Sequence, residues 1–296
     1  MSTRLLIATQ DGLRYLDSEA VDLPGHRITA LAAPWTITDG QRLWCLAQDG
    51  PPVQVAQFDG RPPATCLLPL DSAVLVGTAE GHLIRVEQGS TTTIEAFDSV
   101  EGRSAWHTPW GAPADVRSIA AAGETIYVNV HVGGIVSSPD DGLTWTPAGL
   151  DIDTDVHEVL AVDHLVLAAL GHGGLARSRD KGRSWTITDH GLHSSYCRAV
   201  AASDETMLIS ASTGPRTQQA ALYRGSVAGD TLERCHKGLP EWFSSNIDTR
   251  CLVLEGTNAA FGTDDGRVFV STDTGGSWTQ AAAGLPGITG LQFAPA

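Results

Sequence analysis

Basic residues are scarce in this chain of 296 residues: 19 Lys and Arg stand against 34 Asp and Glu, a formal net charge of −15. So few cations cannot neutralise a run of phosphates, which argues against nucleic-acid binding, and an anionic lipid surface repels such a chain. No run of 18 apolar residues occurs, so no helical membrane span is expected. The early apolar stretch Leu5–Ala8 is too short for the core of a secretory leader. Cysteine is also sparse, five residues with no CxxC spacing, which reads as reduced thiols in a cytoplasmic protein. The apolar fraction of 42% is enough for a packed core, and 32 Gly with 15 Pro imply frequent turns.

One eight-residue pattern, S-x-D-x-G-x-[ST]-W, recurs as Ser138–Trp145, Ser178–Trp185 and Ser271–Trp278. Its Asp residues are 40 and then 93 positions apart, the second gap leaving room for one degenerate copy. The residue types describe a hairpin turn in which Asp accepts backbone N–H groups, Gly takes positive φ and Trp packs beneath. The pattern resembles the Asp-box (BNR) repeat of the sialidase-like β-propellers, whose relatives include sortilin-type receptors, glycoside hydrolases and photosystem assembly factors. The resemblance implies a propeller in which each box joins the third and fourth strands of a blade. It implies a scaffold, not an activity, because the boxes lie on the outer rim.

The residues around the second box divide into four short strands, Val156–Val162, Leu165–Leu170, Leu175–Ser178 and Trp185–Thr188, separated by Asp-His and Gly-rich turns. Seven first-strand starts follow the same pattern, at Arg27, Ala64, Asp115, Asp155, Tyr196, Asp248 and Ile288, spaced 37–52 residues apart. The chain opens on Arg4–Thr9 and Leu13–Leu16, which read as second and third strands, and ends on a lone first strand, Ile288–Phe293. The fold expected for residues 1–296 is therefore one all-β domain, a seven-bladed propeller of four-stranded blades. Its C-terminal strand completes the N-terminal blade and leaves no open sheet edge. The weakest repeat is the second, Arg27–Phe58, which has no box.

First-strand starts and second-strand ends meet on one face around the axis. The starts of blades four to seven read Asp115-Val-Arg117, Asp155-Val-His157, Tyr196-Cys-Arg198 and Asp248-Thr-Arg250. Such a ring serves either as structural Asp–Arg pairs or as an anion pocket lined by Arg117, Arg198 and Arg250. The second-strand ends add His131 and His172, which with His157 make a candidate trio of acid–base groups or ligands for a divalent metal. Asn129 is a polar amide in a Val-rich strand, and Trp106, Tyr196 and Trp242 are candidate pocket walls in long connections. Cys197 and Cys251 sit in apolar runs and read as buried structural thiols.

Two functions from different classes follow. One is an enzyme of lyase, cyclase or hydrolase type acting on a small, anionic molecule, with His131, His157 and His172 as the reacting groups. The other, implied by the assembly-factor relatives, is a non-enzymatic propeller that docks a protein with a basic patch. True sialidases carry an early Arg-x-Pro motif within a Phe/Tyr-Arg-Ile-Pro setting that is absent here, so sialidase activity is the weakest reading.

Overall fold

The computed structural model describes residues 3–47 and 50–295. Seven four-stranded antiparallel sheets follow one another around an axis, as the turn spacing predicts. Blade five reproduces the expected boundaries closely, with strands Val156–Val162, Leu165–Leu170, Leu175–Ser178 and Thr186–Thr188. These strands end where Gly and Asp supply the positive φ that the turns need, at Asp163, Gly174 and Gly182. Blade two is a full blade despite its weak signal, with Trp35–Thr38 as its second strand.

The ring closes as expected. The last strand, Ile288–Pro295, pairs antiparallel with Thr3–Thr9 and becomes the innermost strand of blade one. It also ties the neighbouring blades: Thr289 Oγ1 donates to the Ile28 carbonyl at 2.7 Å, and the Leu291 backbone N–H donates to the Arg250 carbonyl at 2.9 Å. Apolar residues of adjacent blades interleave, so the core is a series of clusters between sheets, such as Ile7, Leu252, Phe261, Phe269, Trp278 and Leu291. No helix among the described residues is long and apolar enough to cross a membrane.

Each of the three boxes joins the third and fourth strands of its blade. In blade four, Thr144 N–H and Oγ1 donate to Asp140 at 2.8 and 2.6 Å, while Gly142 N–H donates to Ser138 Oγ at 2.8 Å. The Trp145 indole donates to the Gly142 carbonyl at 3.0 Å, closing the turn from beneath. Blades five and seven repeat this network. In blade six the same connection has Ala228 in place of the box Asp and no Trp, and the buried Arg177 of blade five holds it through the Gly229 carbonyl and Asp230.

Trp278 is 4% exposed and packs edge-on against Phe261 at 4.9 Å, whereas Trp185 is only half-buried. Trp278→Ala is therefore expected to lower stability by about 3–5 kcal/mol. Trp185→Ala should cost clearly less. Urea denaturation of both variants checks this ranking, and equal losses would contradict the packing described.

Candidate functional site at the channel mouth

The channel mouth is built by a repeated irregularity. In blades one to six the innermost strand carries one residue more than its partner near its start. That residue is Thr289, Thr29, Thr65, Arg117 and His157 in blades one to five, and the shift in blade six spans Arg198. An extra residue of this kind bends the strand and re-aims its side chain. In blade seven Arg250 takes the place, with φ of 66°. The ring thus holds three threonines in blades one to three and four basic residues in blades four to seven.

The threonines have structural partners. Thr29 Oγ1 donates to the Ile37 carbonyl, Thr65 Oγ1 to the Gly77 and Val116 carbonyls, and Thr289 Oγ1 to the Ile28 carbonyl. The basic residues divide differently. Arg198 pairs with Asp248 and donates to the Tyr196 hydroxyl at 3.0 and 3.2 Å, so it is an inter-blade ion pair as well as a wall of the mouth. Arg250 reaches across the axis to the Thr65 carbonyl. Arg117 has no hydrogen-bond or ion-pair partner among the described residues. Burial and the charge of Arg198 push its pKa below the usual arginine value, with Asp155 and Asp248 opposing.

Arg117, Arg198 and Arg250 all line one cavity of about 450 Å³, together with Arg27, Thr65 and Asp248. Arg250 also lines a second, more apolar cavity of about 330 Å³ with Leu160, Val200 and Phe293. Beside it Glu158 is buried. Its two oxygens accept from Arg250 N–H at 2.9 Å and Val200 N–H at 3.0 Å, and burial pushes its pKa up to about 7.

His131 and His157 converge, but on Asp155 rather than on a third histidine. His131 Nε2 lies 3.1 Å and His157 Nε2 3.3 Å from the two Asp155 oxygens, and all three residues are buried. Burial lowers the His157 pKa, with Asp155 opposing and Arg117 assisting. His157 Nδ1 lies 2.6 Å from the Cys197 carbonyl, to which it donates its proton. Tyr196 stands edge-on to His157 at 4.9 Å, and Trp110 edge-on to His131 at 5.4 Å.

Four sequence-based site assignments need correction. His172 is exposed and outside the cluster. The backbone N–H of His131 donates to the Asp115 carbonyl as that of Gly171 donates to Asp155, so Gly171, not His172, is the counterpart of His131. A shift of one residue turns a side chain to the other face. Trp106 packs on Phe97 at 5.6 Å under Arg103, between blades three and four and away from the cavity. Trp242 lies against His193 at 4.7 Å and Arg234 at 3.8 Å, because its neighbour Phe243 pairs with Ala220 of the third strand of blade six and draws the segment outward. Asn129 is fully buried and reaches Ser118 at 3.4 Å, inside blade four rather than in the mouth.

Cys197 and Cys251 are buried, and burial raises both thiols far above their usual range. Asp155, Trp110 and Glu158 were not singled out in the sequence as site residues. Asp155 was detectable two residues before His157, and Trp110 in the same loop as Trp106. Nothing local marks Glu158, whose partners lie in blades six and seven.

No family model matches the chain, and no curated protein matches it. Two solved structures resemble it in fold. The WD40 β-propeller domain of Doa1 superposes with a TM-score of 0.64 at 14% identity, covering 94% of this chain and 85% of that one. The computationally designed Ika8 protein superposes with a TM-score of 0.56 at 14% identity, covering 95% of this chain and 80% of that one. Identities this low speak for the propeller fold alone.

Proposed function

We propose that this propeller binds a small anionic molecule at the channel mouth and acts on it there. The observation that carries the reading is the substitution of the threonine ring by Arg117, His157, Arg198 and Arg250 in four consecutive blades. The first three blades complete the same scaffold position with neutral hydroxyls. Arg117 is half-buried, lines the cavity and has no hydrogen-bond or ion-pair partner among the described residues, so its donor fork is free to take a ligand. Carboxylates and phosphate esters fit its planar donor fork. The buried His131–Asp155–His157 group does not line this cavity but lies near enough for its charges to act on Arg117, and its acid–base groups favour lyase, cyclase or hydrolase chemistry.

The test is calorimetric titration with inorganic phosphate and with small mono- and dicarboxylates, each beside a neutral analogue. Wild type is expected to bind at least one of these anions and to ignore the neutral analogue. Arg117→Ala is expected to weaken that binding about 10- to 100-fold, the worth of one charge-assisted bond pair. Arg117→Lys, which keeps the charge and loses the fork, should fall between. Equal affinity in wild type and Arg117→Ala, or no anion bound at all, removes the reading.

The net charge of −15 favours a second reading, a scaffold that docks a basic protein partner. A single stoichiometric partner, recovered from a protein that answers to no small anion, would support it.

A further inference from the structure

We infer that His131, Asp155 and His157 form a binding site for one divalent transition-metal ion of the zinc class. The site lies where the second strand of blade four ends and the inner strand of blade five begins, and its three protein ligands leave one coordination position for a further ligand. One ligand atom from each of the three residues lies within 4.8 Å of the others. Each imidazole faces its own Asp155 oxygen, His131 Nε2 at 3.1 Å from Oδ1 and His157 Nε2 at 3.3 Å from Oδ2, separations close to the roughly 3.3 Å between neighbouring ligand atoms of a tetrahedral ion with bonds near 2 Å.

Three further observations point to a cation rather than to a plain hydrogen-bonded triad. First, His157 Nδ1 donates its proton to the Cys197 carbonyl, which fixes the ring with Nε2 facing the Asp155 carboxylate. A backbone carbonyl that fixes the far nitrogen of a metal-bound histidine is the usual supporting contact. Secondly, Asp155 Oδ1 has no hydrogen-bond partner among the described residues although His131 Nε2 is 3.1 Å away, and His131 Nδ1 is likewise buried and unpaired. The two rings therefore do not satisfy the carboxylate by donating to it. Thirdly, the backbone is bent to assemble the group. Asp155 has φ of 53° and Val132, next to His131, has φ of 43°, a conformation that a β-branched residue rarely takes. Gly171 completes the space, since a Cβ there would stand 2.5 Å from Asp155 Oδ2.

Two imidazoles and one carboxylate suit zinc and its neighbours in the first transition row, and do not suit magnesium or calcium, which take oxygen sets. Three protein ligands leave a position for water or a ligand oxygen, the arrangement of catalytic rather than structural zinc. The metal site stands on its own geometry. If the anion reading also holds, an anion held by Arg117 would lie near the ion, since Asp155 and His157 are close enough for their charges to act on Arg117.

The experiment uses the full chain, stripped with EDTA, dialysed and titrated with Co(II) and then Zn(II). Expected are one equivalent of Co(II) with visible d–d absorption, its displacement by Zn(II), and a rise in melting temperature with either ion. His131→Ala and His157→Ala should each weaken uptake by more than about 100-fold. The near-isosteric Asp155→Asn guards against variants that fail to fold and should weaken uptake while keeping a cooperative melt. His172→Ala should bind as wild type does. The inference is overturned if stripped wild type takes up no Co(II), if uptake survives in the folded double variant His131→Ala/His157→Ala, or if His172→Ala abolishes it. Phosphate titration of the stripped wild type addresses the arginine pocket separately, so either result can fail without the other.

Discussion

Deleting residues 288–295 is expected to abolish cooperative folding, not merely to lower stability. The segment is the innermost strand of blade one, and it pairs with Thr3–Thr9 over seven residue positions. Burial of Ile288 and Leu291 contributes roughly 3–6 kcal/mol. Loss of the backbone ladder and of the ties to Ile28 and Arg250 adds about 1 kcal/mol per hydrogen bond. The sum is of the order of the whole stability of an ordinary domain, about 5–15 kcal/mol. The deletion also exposes the edge of Thr3–Thr9 to pairing with other chains, so aggregation is the expected accompaniment. Urea unfolding followed by tryptophan fluorescence reads the effect, and a synthetic peptide of residues 286–295 added in trans should restore a cooperative transition. A truncated protein that unfolds cooperatively with a midpoint near that of wild type would contradict ring closure as the source of stability.

The second large effect is expected at Glu158. Glu158→Ala leaves the N–H groups of Val200 and Arg250 without acceptors in the channel wall. Each orphaned group costs about 1–3 kcal/mol, so a loss of about 2–6 kcal/mol is expected. The pH dependence has a definite sign. Burial raises the folded pKa from the ordinary 4.5 to about 7, so the folded state holds this proton more tightly than the unfolded chain. The corresponding stability is complete below about pH 4.5 and is lost as the pH rises through 7. In EDTA-treated protein, wild type should therefore lose about 3 kcal/mol relative to Glu158→Gln between those limits, and little outside them. Urea midpoints across this range check it; a constant difference between the two proteins would show that Glu158 is ionised throughout.

The fold was legible because its signals are local. Box turns need Asp, Gly and Trp at fixed offsets, and strand ends need Gly or Asp where φ turns positive, so blade five could be read almost to the residue. The ring of basic residues was legible for the same reason, since Arg117, His157, Arg198 and Arg250 each stand two residues after a polar residue, Asp115, Asp155, Tyr196 and Asp248. The position of His172 was legible too, if counted from the glycines. His131 stands two residues before Gly133-Gly134, and His172 only one before Gly173-Gly174, which puts Gly171 opposite His131. The aromatic walls were not legible. Whether Trp106 or Trp110 faces the axis depends on Phe97 and His131, which lie in different parts of the chain, and Trp242 is displaced by a pairing between Phe243 and Ala220. The role of Glu158 depends on two backbone groups 42 and 92 residues away.

The claim on which the functional account turns is that the channel mouth is where a ligand is held. A crystal structure of the protein grown with zinc and with the anion that titrates most tightly tests it most directly. The account predicts that ligand density lies within hydrogen-bond distance of the Arg117 guanidinium, inside the cavity bounded by Arg198 and Arg250. Density on the outer rim or in the Arg250–Phe293 cavity, with Arg117 still without a partner, would contradict it.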